Sequence, residues 1–285
     1  MQGIDRARST PLPSAALARS RRRGFSASCM LPKPCGVIGL LTDFGGRDPH
    51  VGMLKGALLR GCLRAQVVDV THDVEPRDIG LGAFFLWAAA GRFPQGSVFL
   101  GLVDCAGSVQ RRTLCVTAHE SYWIGPDNGV LGEILGDGRA EARVVDFEAL
   151  GLGLSSRSFL LRDARAAVAA GLAAGRFGFA AAGPRCHDPV HVPPLLAGSL
   201  RVVHVDAHGN LVTNVPARAI ASARAVTVGG RQVPFRGSVA DVAPGQLAAF
   251  VNSYDLVEIA ENQGSAAASL RLCRGAPVGL EPASA

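Results

Sequence analysis

The chain has 285 residues, 48% of them apolar and 18% charged, with a formal net charge of +6. That composition excludes disorder along the whole chain and suffices for one large domain or two ordinary ones. A membrane-spanning helix is excluded as well, because the longest apolar runs, Ala83–Ala90 and Ala166–Ala174, reach only half of the ~18 residues it needs.

Seven Lys and Arg face only Asp5 within residues 1–36, so the excess charge lies there and the rest of the chain balances. The basic character therefore implies no nucleic-acid surface on the body. Residues 1–29 are rich in Arg, Ser and Ala, with no apolar core of the kind a secretory signal requires, and they resemble a transit peptide. An over-extended start ahead of Met30 competes, because Arg outnumbers Lys 27 to 2 and this suggests a GC-rich coding sequence. A basic binding arm is the third reading. Residues 1–35 are set aside as a leader. The expected location is the cytoplasm, or the mitochondrion or plastid if the leader is genuine targeting.

Gly36–Leu41 reads as an apolar strand, Val51–Leu63 as a helix with Met53, Leu54, Ala57 and Leu58 on one face, and Gln66–Val70 as a second strand. Ile79–Ala90 is a helix, Ser97–Val103 a strand, and Leu114–Ala118 with Ser121–Ile124 a hairpin. Arg162–Ala174 is an Ala-rich helix closed by Gly175. This alternation predicts an α/β sandwich-type domain with a mostly parallel sheet over residues 36–183. Four prolines mark 184–198 as a linker. Beyond it, Leu200–Asp206, Leu211–Asn214, Ala225–Val228, Arg231–Phe235, Ala248–Val251, Leu256–Ala260 and Ser269–Leu272 are short strands with no competing helix. An all-β barrel domain over 199–285 is expected.

No phosphate-binding glycine loop, HExxH or GxSxG is present. The seven cysteines stand singly, which fits reduced thiols better than a disulfide framework or a zinc site. His187 and His191 fall in a Pro-rich stretch and read as linker, so no metal is expected.

Four polar segments exceed what turns require. Asp43 and Asp48 flank a glycine-rich loop after the first strand. Both carboxylates can face a bound molecule and suit ribose hydroxyls or an ammonium, although Asp48 could simply cap the following helix. Asp104 ends the third strand with Arg111 seven residues on, a catalytic pairing or a surface ion pair. Pro126-Asp127-Asn128-Gly129 reads first as a plain turn. Asp206-Ala207-His208-Gly209-Asn210 is a capped hairpin or a binding loop.

Taken in order, these segments resemble the S-adenosyl-L-methionine hydroxide adenosyltransferase family, related to fluorinases and chlorinases. The resemblance rests on Leu41-Thr42-Asp43-Phe44-Gly45 with Asp48, Val68-Asp69-Val70-Thr71-His72, Val103-Asp104 with Arg111-Arg112, Pro126-Asp127-Asn128-Gly129, Asp206 with Gly209-Asn210 and Thr213-Asn214, and Asn252-Ser253 with Glu258-Ile259-Ala260. It implies a homotrimer binding S-adenosyl-L-methionine as substrate, with no further cofactor, between the α/β domain of one subunit and the barrel of the next. Asp43 would hold the ribose, Asp48 and Asp206 would face the methionine ammonium, and Asn210 and Ser253 would contact other polar groups. Asp104 and Arg111 would activate water for hydrolysis to adenosine and L-methionine.

The chain departs from the family at two places. Leu160 of Phe159-Leu160-Leu161-Arg162-Asp163 stands where the family has His, and Cys105-Ala106-Gly107-Ser108 replaces its Pro-Gly-Val-Gly. Without that His turnover would be slow, unless His119 or His72 substitutes. A non-catalytic binder of S-adenosylmethionine or adenosine and a halide transferase are the alternatives. The retained Asp104 favours water over halide, because the halogenating relatives replace that Asp.

Overall fold

A computed structural model describes residues 31–104, 112–136, 138–152 and 160–282, with Leu160 and Leu161 as backbone only. Strand β1 (Val37–Thr42) leads through helix α1 (His50–Gly61) to β2 (Gln66–Thr71), and α2 (Ile79–Ala89) leads on to β3 (Val98–Leu102). Next come β4 (Thr113–Ala118), β5 (Ser121–Pro126), the short α3 (Gly132–Leu135), β6 (Glu141–Val144) and α4 (Leu160–Ala173). The sheet order is β2-β1-β3-β5-β4-β6. β1 runs parallel to β2 and β3, and β3 parallel to β5, while β4 opposes β5 and β6. Each helical crossover forces the next strand to run parallel. The β4–β5 hairpin instead closes through His119 and Glu120, at φ 50 and 57, the left-handed pair that a two-residue hairpin turn demands.

Alternate residues of each strand face opposite layers. Ile38 and Leu40 pack with Leu54 and Leu58 of α1 and Val168 and Leu172 of α4. Leu41 and Phe99 pack with Leu81, Phe84 and Leu86 of α2. Gly61 is required where α1 meets α4, since a Cβ there would lie 2.5 Å from that of Ala170. Met53, placed by its spacing on the apolar face of α1, is instead 53% exposed. α2 is apolar on every side because its far face meets Val203, Val212 and Leu256 from the C-terminal half.

The C-terminal half comprises β7 (Val202–Val205), β8 (Leu211–Pro216), β9 (Ala223–Val228), β10 (Arg231–Pro234), β11 (Leu247–Val251), β12 (Leu256–Glu261), α5 (Ala266–Leu270) and β13 (Val278–Pro282). They form two antiparallel sheets, β10-β9-β13 and β11-β12-β8-β7. The expected strand Ser269–Leu272 is wrong, because α5 occupies its first half and no strand its second. Ser265 caps this helix by accepting from the Ala268 amide, and three alanines follow. The same helix refutes the expectation that no helix competes here. β13 follows a Gly-Ala-Pro run that hid it. The proline-rich connection lies against the sheet: Cys186 N–H donates to Ala142 O, and Arg185 bridges to Arg143, covering the β6 edge. No helix among the described residues is long and apolar enough to cross a membrane.

Candidate active site

Parallel strands bring their C-terminal ends to one edge, where ligand chemistry gathers in such sheets. Asp43 follows β1 there and Asp104 follows β3. Oδ2 of Asp43 accepts the amide N–H of Asp104 and that of Arg77, each at 3.0 Å. Asp104 itself has a left-handed backbone, φ 52, a conformation Asp tolerates better than most residues and one concentrated at functional sites. Asn128, just past β5 and buried, donates to Val103 O at 2.9 Å and accepts from Val130 N–H. Two groups from neighbouring strands thus fix the peptide unit that leads into Asp104, one through its N–H and the other through its C=O.

Asp127 is buried and structural. Its Oδ2 accepts Arg112 Nε at 2.9 Å, and its Oδ1 accepts the Val190 amide at 2.8 Å. Arg112 also donates to the side chain and the carbonyl of Asp188. The hydrogen bond to Asp188, then that to Asp127, raises the guanidinium pKa further and keeps it charged. The plain-turn reading of Pro126–Gly129 is therefore too weak, because this turn ties the proline-rich connection to the strand ends.

On the β2 side, Thr42 Oγ1 lies 2.9 Å from His72 Nδ1 and accepts from Phe44 N–H, while Gly45 N–H donates to His72 O. His72 Nε2 stands 3.1 Å from Asp69 Oδ1, without the alignment of a hydrogen bond. Lys55 Nζ donates to Asp69 Oδ2 at 2.7 Å. Burial raises the Asp69 carboxyl, but the hydrogen bond from Lys55 and the close approach of His72 outweigh it and hold the group below the ordinary aspartate range. His72 thus latches the loop that carries Asp43. His119 is at the wrong end: its turn opens β5, which runs parallel to β3, whereas Asp104 follows the far end of β3. His119 is no substitute base for chemistry at Asp104. Asp48 is exposed and does not cap α1; the N-cap position is Pro49, with no side-chain capping bond.

The C-terminal candidates sit in two turns, at opposite ends of the β8–β12 pairing. Oδ1 of Asp206 accepts the amides of His208 and Asn210, and its Oδ2 accepts Asn210 Nδ2 at 3.0 Å. Ser253 is exposed in the β11–β12 turn, and its carbonyl accepts from Arg92. Glu258 accepts Asn252 Nδ2 at 3.1 Å. Burial pushes the Glu258 carboxyl up and Asp206 adds to this, against the bonds from Asn252 and Asn210. Arg111 and the 105–108 loop lie outside the described residues, as does the side chain of Leu160.

Sequence reasoning missed Asn128, His72 and Glu258 as working parts of this arrangement. Their roles arise from contacts 25, 30 and 6 residues away in the chain. Asn128 falls in one of the four polar segments, while His72 and Glu258 stand only in stretches that carry the family resemblance, where His72 reads as a substitute base and not as a latch.

A mixed sheet ending in paired carboxylates, followed by antiparallel sheets that present a further acid and two amides, defines an α/β-plus-β protein with a bipartite polar site. The chain belongs to the SAM hydroxide adenosyltransferase family, whose N-terminal domain matches residues 38–183 and whose C-terminal domain matches residues 200–279. It is 33% identical to the (R)-S-adenosyl-L-methionine hydrolase of Thermus thermophilus over 257 residues, covering 85% of this chain and 98% of that protein. The protein of the same name from Salinispora arenicola is 33% identical over 84% of this chain and 95% of its own length. A fluorinase of Actinopolyspora mzabensis is 28% identical over 49% of this chain and 54% of its own. The crystal structure of an uncharacterized conserved protein from Thermotoga maritima superposes with a TM-score of 0.77 at 28% identity, covering 85% of this chain and 99% of that one.

Proposed function

We propose that the chain hydrolyses S-adenosyl-L-methionine to adenosine and L-methionine. The observation that carries this is its 33% identity, across 85% of its length, with a protein named for that hydrolysis. The fluorinase match spans 49% of the chain, which favours water over halide as nucleophile.

Water attacks ribose C5′. A C5′–O bond forms as the C5′–S bond breaks, and the bonding pair returns to sulfur, leaving neutral methionine. The sulfonium is already a good leaving group, so no general acid is needed. Catalysis must act on the nucleophile, since water is weak at neutral pH. Asp104 orients the water and takes its proton, and Arg111 stabilises developing hydroxide. Asp43 has Oδ2 engaged by two backbone amides, and its Oδ1 is the atom we assign to the ribose hydroxyls. Asp48 and Asp206 face the ammonium, and Asn210 and Ser253 meet the remaining polar groups. Carboxylates from both halves suit a cationic ligand, and a site enclosed between them buries it well.

In this reading the site is shared between subunits of a homotrimer. Within one chain, Asp43 binds the Arg77 amide ahead of α2, whereas Ser253 binds Arg92 beyond its far end. The intervening helix of 11 residues spans about 16 Å. The substrate groups proposed at Asp43 and Ser253 are therefore better met by halves of two different chains. The exposed Asp48 would then be covered by the neighbour. We further read residues 36–183 and 199–285 as separate domains joined by 184–198. The second is read as a barrel, which is supported by bridges at both sheet edges, Arg201 to Pro277 and Phe235 to Ala249.

The test is incubation of purified protein with S-adenosyl-L-methionine and chromatography for adenosine. Asp104→Asn should lower turnover by ~10²–10⁴, the typical contribution of a positioned base. Asn also tolerates the left-handed backbone at this position, so the loss isolates the charge. Tight binding without adenosine from the wild type would leave only a binding protein.

A further inference from the structure

Two turns carry the C-terminal part of the proposed site: Asp206 to Asn210 between β7 and β8, and Asn252 to Asp255 between β11 and β12. β12 pairs with both β8 and β11, and Glu258 stands opposite Val212 on one side and Phe250 on the other. From that central position its carboxyl accepts Asn252 Nδ2 at 3.1 Å, and Asn210, two residues ahead of the Val212 that stands opposite it, falls on the same side of the sheet beside it. Each of these amides organises its own turn. Asn252 Oδ1 accepts the Tyr254 and Leu256 amides at 2.9 and 3.2 Å, which shapes the loop presenting Ser253. Asn210 Nδ2 holds Asp206 Oδ2 at 3.0 Å. One half-buried carboxyl therefore joins two turns that the strand ladders fix only at their bases. Chains of hydrogen bonds of this kind, in a partly dry setting, rigidify what they connect.

We propose that Glu258 is a positioning residue that locks the 206–210 and 252–255 turns to each other and so sets the spacing of Asp206 and Ser253 around the substrate. The proposal rests on the hydrolase reading for its consequence, but the lock itself exists without ligand. Burial and the neighbouring Asp206 both raise this carboxyl, while Asn252 and Asn210 lower it. A group so influenced is coupled to the site and not merely solvated beside it. A glutamine would keep an oxygen able to accept from Asn252, whereas alanine or methionine would not.

The experiment uses the full chain. Amide hydrogen exchange is measured first without ligand, in wild type, Glu258→Ala, Glu258→Met and Glu258→Gln. Steady-state kinetics with S-adenosyl-L-methionine follow. Loss of the lock should speed exchange in both turns in the Ala and Met variants, while Gln, which keeps one of the two acceptor oxygens, should retain the protection of the 252–255 turn. KM should rise about tenfold in Ala and Met, the effect of one lost hydrogen-bond network at a binding site. With Asp104 untouched, kcat should stay within about twofold, and Gln should restore KM to within about threefold. Loosening of only one turn, or of neither, in the Ala and Met variants overturns the lock. Loosening of both with unchanged KM overturns its role in substrate placement. Should the Ala variant fail to fold, the Met variant, which retains the apolar stem, decides. A wild type that yields no adenosine overturns the hydrolase reading and with it the role in substrate placement, while the ligand-free exchange result still decides the lock.

Discussion

Oδ2 of Asp43 receives the backbone N–H of Asp104 at 3.0 Å, joining the ends of two neighbouring parallel strands through a single carboxylate oxygen. The residue assigned to hold the ribose is thus the residue that fixes the backbone of the one assigned to orient water. On the roles proposed for these two residues, substrate binding and nucleophile placement would be mechanically linked at this strand edge.

That linkage separates two substitutions. Asp43→Asn keeps an oxygen for the Asp104 and Arg77 amides but loses the charge offered to vicinal hydroxyls. It should raise KM by about tenfold while denaturant midpoints hold. Asp43→Ala removes the acceptor as well, leaves two amides unsatisfied, and should cost ~1–3 kcal/mol of stability with a drop in kcat. Equal effects of Asn and Ala on kcat would show that the clamp is not what places Asp104.

The junction between the halves has its own pH signature. Asp78 caps α2 by accepting from Leu81 N–H and pairs with Arg274 from the C-terminal half. Burial raises this carboxyl, yet the bonds from Arg274 and Leu81 prevail and its pKa is lowered from 3.8. A carboxyl lowered in the folded state adds stability above its unfolded pKa and loses it as pH falls through the folded value. Asp78→Asn, which keeps the cap, should therefore be less stable than wild type near neutrality, and the two should converge below about pH 4 in thermal melts. A gap that persists in acid would assign the effect to packing and not to charge.

Leu160 opens α4 at the position where the resembling family carries His. Leu160→His should raise adenosine production at least tenfold if an absent base limits the rate, within the ~10²–10⁴ such a group supplies. An unchanged rate would place the limitation in the altered 105–108 loop.

How much of this was legible beforehand depends on where the information sits. β1, β3 and α2 declared themselves because their burial is written in consecutive residues: short unbroken apolar runs for strands buried on both faces, and a longer one for a helix covered on both sides. α5 did not, because Leu270 and Leu272 alternate like a strand while the decisive Ser265 cap stands ahead of them. Asp43, Asp104 and Asp206 were found as carboxylates at strand ends, a local cue. Asn128 looked like any turn asparagine, since its partner Val103 lies across the sheet, and Glu258 looked like a solvated strand residue. The placement of Asp43 and Ser253 at opposite ends of α2 required the docking of the two halves, which no local pattern encodes.

That placement gives the sharpest test of where the site lies. Asp43→Ala and Asp206→Ala each damage one half, and each alone should be nearly inactive. When the two are unfolded together and reassembled, a site built from two chains can combine the intact first half of one variant with the intact second half of the other. Random assembly of a cyclic trimer places about a quarter of its interfaces in that arrangement, so the mixture should recover about that share of wild-type turnover. A site completed within one chain has no route to recovery, because every chain carries a lesion. Activity in the mixture no higher than in its components would confine the substrate to a single subunit and require α2 to be bridged from Asp43 to Ser253 by one ligand.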